Sequence, residues 1–109
     1  MSLHALMRIR RPARPVKPEV DVWSSYRPTD RVLETAGEGR VFLLDTVRSR
    51  YLGLDDVAAV VWTLMMGGLT VNEIAHGLAQ EYDADVEMIE SGVVKLLSGL
   101  LERGLIERA

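Results

Sequence analysis

The chain has 109 residues, 48% of them apolar and 27% charged, with four prolines, nine glycines and no cysteine. This describes one small domain with a modest core, because at such a length only about two-thirds of the unfolded surface is buried, and no deep active site fits inside it. The lack of cysteine excludes a disulfide framework, a thiolate nucleophile and a cysteine-held zinc or iron–sulfur centre, and it suits a reducing, cytoplasmic setting. No apolar run approaches the roughly 18 residues that a membrane span needs. The longest, Val57 to Met66, is interrupted by Thr63 and stops at Gly67-Gly68.

The formal charge of −3 is unevenly spread. Residues 1–18 hold Arg8, Arg10, Arg11, Arg14 and Lys17 without an acid, so this segment is +5 and the rest of the chain is −8. Pro12, Pro15 and Pro18 exclude a helix there and favour an extended arm. We therefore expect a basic tail over 1–18 and a folded domain over 19–109. The arginines follow the short apolar stretch instead of preceding it, which excludes an export signal.

In chain order, residues 19–30 read as an irregular lead-in with a short strand marked by the alternation of Val20, Val22 and Trp23. Residues 31–36 and 40–45 are strands around a turn at 37–39, and residues 50–54 are a third strand with Tyr51 and Gly53 on one face and Leu52 and Leu54 on the other. From Asp55 the period changes. Asp55 caps a first helix in which Val57, Ala58, Val61, Trp62, Leu64 and Met65 recur, ended by Gly67-Gly68. Thr70 and Glu73 have capping-box spacing and open a second helix with Ile74, Leu78 and Tyr82 on one stripe. Asp83 or Asp85 caps a third helix that runs to Gly104 with a wide apolar face, after which Leu105 and Ile106 fold back onto the body. The fold class is α+β: a three-stranded antiparallel sheet followed by a three-helix bundle resembling a winged helix-turn-helix.

Catalytic and cofactor chemistry find little support. His76 has only Glu73 near it at helical spacing, too few ligands for a metal. The acids Asp83, Asp85, Glu87 and Glu90 lack the calcium-loop pattern and sit where a helix dipole favours them. No phosphate-binding glycine motif occurs, so no cofactor is expected. A recognition helix must neutralise phosphates, yet the second and third helices carry Lys95 and Arg103 against Glu73, Glu81, Glu87, Glu90 and Glu102, which argues against nucleic acid as a partner.

The ordered series Tyr51, Leu54, Asp55, Ala58, Trp62, the glycine turn, Thr70-Val71-x-Glu73-Ile74, Tyr82-Asp83 and the closing L-x-x-L-L-E-R-G-L-I, preceded by V-F-L-L-D, resembles the family of the pyrroloquinoline quinone biosynthesis protein D, the RiPP recognition elements. The match covers about residues 30–107. It implies a non-catalytic peptide-binding module in which the leader of a ribosomally made precursor adds as a strand beside the third strand and fills a groove against the third helix. On this chain the implied peptide-binding residues are Arg50, Tyr51, Leu52, Gly53 and Leu54 on the strand and Glu90, Val94, Leu97 and Leu101 on the helix. The physics agrees, since an open strand edge offers unpaired backbone groups and the third helix carries more apolar surface than one core face needs. Within the family the chain looks most like the free-standing leader-binding protein of lasso peptide systems. That implies delivery of the precursor to a leader peptidase and a cyclase, without a membrane partner. A peptide carrier for a radical enzyme in cofactor biosynthesis and a small helix-turn-helix regulator are the alternatives, the second opposed by the acidic helices.

Overall fold

The structure, a computed structural model, describes residues 20–38 and 40–109. The basic tail expected over 1–18 lies outside the described residues. Eight elements follow in order: β1 (Tyr26–Pro28), β2 (Val32–Gly37), β3 (Arg40–Asp45), β4 (Arg50–Leu54), α1 (Asp56–Met66), α2 (Val71–Tyr82), α3 (Val86–Glu102) and β5 (Ile106–Arg108). The central sheet is antiparallel in the order β2-β3-β4, as the sequence predicts, and three helices follow it. No described helix is long and apolar enough to cross a membrane.

Strand pairing follows from the turns. Gly37 pairs with Arg40 across a tight turn, in which Glu38 has φ 54, the left-handed backbone that tight hairpin turns use. Asp45 pairs with Arg50 across the next turn, and the Asp45 carboxylate accepts from the backbone N–H groups of Val47 at 3.0 Å and Arg48 at 3.2 Å. This register puts Arg50, Leu52 and Leu54 on the face of Leu43, with Tyr51 and Gly53 on the opposite face beside Leu44 and Phe42.

The helix signals read from the sequence are realised. The Asp55 side chain accepts from the Ala58 N–H at 2.8 Å. The Thr70 hydroxyl accepts from Glu73 N–H while the Glu73 carboxylate accepts from Thr70 N–H, the reciprocal bonds of a capping box. Of the two acids considered for α3, Asp85 is the cap; Asp83 instead ends α2 with φ 51. Leu43, Trp62, Met65, Ile74 and Leu97 form the centre of the core, and Leu105 and Ile106 close its underside.

The lead-in differs from expectation. The alternation Val20, Val22, Trp23 is not a strand: Val20 is buried, Trp23 is exposed, and the strand lies later, at Tyr26–Pro28. It pairs with β5, an element absent from the sequence reading, in the register Tyr26↔Arg108 to Pro28↔Ile106. The residues before β1 serve α2 instead. Val22 and Ser24 carbonyls accept from the N–H groups of Asn72 and Val71, donors that the first turn of a helix cannot satisfy internally.

Candidate functional site

β4 is an edge of the sheet, so one side of its backbone has no strand partner among the described residues. α3 packs chiefly on α2, and the space between α3 and β4 stays open. At one end of this space a cleft of about 350 Å³ lies between Arg50, Tyr51 and Leu52 of β4 and Arg103 and Leu105 beyond α3. At the other end a second, of about 300 Å³, is walled by Val57 and Ala58 of α1 and by Met88, Ile89, Gly92 and Leu96 of α3. The start of β4 therefore faces the end of α3, and Asp55, just after β4, faces Met88 and Ile89, so strand and helix run in opposite directions with a separate cleft at each end of the groove between them. Val57 and Met88 on its walls are 48% and 71% exposed, an apolar surface unusual for a solvated rim.

The strand residues expected to bind a peptide divide by the pleat. Leu52 and Arg50 line the first cleft, and Leu54 is buried in the core and lines neither cleft. Tyr51, 72% exposed, stands on the outer face of the sheet. Gly53 is on that face too, and a Cβ there would lie 3.2 Å from the Phe42 ring, so glycine lets the ring cover the strand.

On α3 the expected face is rotated. Leu97 is 0% exposed, so it is core and has no surface to offer a ligand. Glu90 is turned to α2, where its carboxylate meets the Asn72 side-chain amide at 3.5 Å. Val94 and Leu101, partly buried, share that helical face with Glu90, whereas the groove is lined by Ile89, Gly92 and Leu96, with Arg103 one turn farther along. A slip of one residue is about 100° on a helix, enough to exchange one face for the other. Gly92 lies on the wall of the second cleft, with open space where a Cβ would be.

Asp45 anchors the polar end. It is buried, and burial pushes its carboxyl up, yet the hydrogen bonds from Arg48 and Val47 together with the charges of Arg31 and Arg48 outweigh this and hold it below the usual carboxylate range. The Arg31 guanidinium lies 3.5 Å from Asp45 and covers Gly104, whose φ of 74 also requires glycine. A depressed acid stabilises the fold fully above its unfolded value and loses that contribution as pH falls through the folded one. We expect the thermal midpoint of the wild type to drop more steeply than that of Asp45→Asn below about pH 4, measured by circular dichroism from pH 6 to pH 2. Parallel curves would mean that Asp45 is not the group linking this turn to pH.

The model of the family described as "Coenzyme PQQ synthesis protein D (PqqD)" matches residues 40–106. The chain belongs to the PqqD family. The matched span runs from β3 to the start of β5 and so contains the whole groove. Among curated PqqD relatives, the bifunctional coenzyme PQQ synthesis protein C/D of Methylorubrum extorquens is 42% identical over 59 residues, which is 54% of this chain and 16% of that protein. The PqqA binding protein of Xanthomonas campestris pv. campestris is 40% identical over 57 residues, 52% of this chain and 62% of that protein. These alignments therefore span less than two-thirds of either relative. Among solved structures, TbiB1 in complex with the TbiA(beta) leader peptide superposes with a TM-score of 0.69 at 28% identity, covering 74% of this chain and 94% of that one. The PqqD part of Methylobacterium extorquens PqqCD, described as a stand-alone RiPP recognition element, gives 0.68 at 33% identity, covering 82% and 95%.

Proposed function

We propose that this PqqD-family chain is a non-catalytic recognition element that binds the leader segment of a ribosomally made precursor peptide. The leader adds to β4 as a fourth antiparallel strand, and its side chains enter the groove against α3. The observation that carries this reading is the open groove beside an unpaired strand edge, in a chain whose structural relative TbiB1 was solved with a leader peptide. Backbone hydrogen bonds supply affinity in strand addition, and pockets for alternate side chains supply specificity. We infer further that this binding serves lasso peptide maturation, the pathway to which the sequence resemblance points, with the bound precursor delivered to a leader peptidase and a cyclase. Binding would then raise the local concentration of precursor at those enzymes without any chemistry on this chain.

The test is amide hydrogen exchange on the full chain, with and without synthetic leaders of the short reading frames encoded beside it. Edge-facing amides within Arg50–Leu54 should slow in the complex, while those at the β2 edge should not change. Tight binding with unchanged exchange in β4 would place the peptide on another face.

A further inference from the structure

A bare strand edge reads little. Its backbone groups accept many sequences, and a slip of one residue sends every peptide side chain to the wrong face, so register needs a separate anchor. One end of the groove supplies an anchor of defined charge. Arg48, Arg50 and Arg103 converge there from the β3–β4 turn, from β4 and from the end of α3, all three exposed. The acid in the same cleft, Asp45, is already engaged by two backbone N–H groups and by Arg31, with the charge of Arg48 beside it and those of Arg50 and Arg103 left over. Arg50 and Arg103 have no carboxylate within ion-pair distance among the described residues, unlike Arg27, Arg31 and Arg108. This concentration of cations stands in a body that carries eight more negative than positive charges.

We propose that Arg48, Arg50 and Arg103 form an acid-selecting subsite that takes an Asp or Glu side chain of the bound peptide and thereby sets its register and direction. The inference rests on the peptide-binding reading above and specifies the class of peptide bound. Guanidinium groups suit this task because their planar donors match a carboxylate. A strand antiparallel to β4 has its C-terminal end beside Arg50, so the acid follows the apolar residues that fill the Met88–Leu96 end. From Arg50 to Leu54 the strand rises about 14 Å, so the spacing is about four residues, which keeps the acid and its apolar partner on one peptide face. Reversed insertion would bring the acid to Asp55 and leave the arginines unpaired.

The probe is a displayed library of random 16-residue peptides selected on the full chain, on R50E/R103E and on R50Q/R103Q. Wild-type binders should be enriched in Asp or Glu about four positions after an apolar pair. The charge-reversed chain should lose that enrichment or prefer Lys or Arg at the position, and a selected acidic peptide should bind the neutral R50Q/R103Q chain at least tenfold more weakly, about 1.4 kcal/mol. Both arginine positions are exposed, and the neutral pair serves if charge reversal disturbs folding. Binders with apolar residues but no placed acid, or the same binders on all three chains, would overturn the subsite and leave peptide binding standing. Failure to enrich any peptide would overturn the peptide-binding reading itself and the subsite with it.

Discussion

Trp62→Ala is expected to cost about 3–5 kcal/mol of folding stability, the range for emptying a large aromatic site in a core. Trp62 is 2% exposed at the middle of α1, and its indole N–H donates to the Glu34 carboxylate of β2 at 2.9 Å. The ring thus joins the sheet to the helices by both packing and a charge-assisted bond. A domain of this size has about 5–15 kcal/mol in total, so the variant should lie near its unfolding midpoint in mild denaturant. Trp62→Phe keeps most of the buried ring and loses the bond to Glu34, which solvent can reach, so a smaller cost of about 1–2 kcal/mol is expected. Urea unfolding followed by circular dichroism compares the three chains. A loss below about 1 kcal/mol in Trp62→Ala would show that the sheet is held on the helices by other contacts.

The elements that carry their own punctuation were legible in the sequence. Asp55, the Thr70–Glu73 pair and Asp85 each satisfy helix donors within four residues of themselves, β3 is an apolar run bounded by turn residues, and β4 alternates after the next turn. The β1–β5 ladder was not legible, because its partners are some 80 residues apart, as the Arg27–Glu107 pair shows, and three-residue strands have no period to read. α3 shows a subtler limit. Ile89, Val93, Val94, Leu96, Leu97, Leu100 and Leu101 cover so much of its circumference that periodicity finds the helix but not which margin meets α2 and which faces the groove. Tertiary packing makes that choice, and it places Leu97 inside and Leu96 on the groove. The convergence of Arg48, Arg50 and Arg103 is likewise a product of three elements meeting, invisible to any local window.

The same rotation decides where a charge should damage binding. Met88→Asp and Leu96→Asp each put a carboxylate into the apolar half of the groove. In the free chain Met88 is mostly solvated and Leu96 only partly buried, so the new charge stays hydrated and the fold survives, with Met88→Asp the milder change. A bound leader would strip that water away without offering a partner, which costs about 1–3 kcal/mol for an unpaired polar group. Leader affinity by calorimetry should therefore fall by roughly 5- to 150-fold in these variants, converting at 1.4 kcal/mol per factor of ten. Glu90→Gln, on the face toward α2, should leave affinity within about threefold of wild type, since its carboxylate is occupied with Asn72 and not with the groove. Loss of binding in Glu90→Gln with normal binding in Met88→Asp would put the leader on the face of Glu90, Val94 and Leu101 and move the site across the helix.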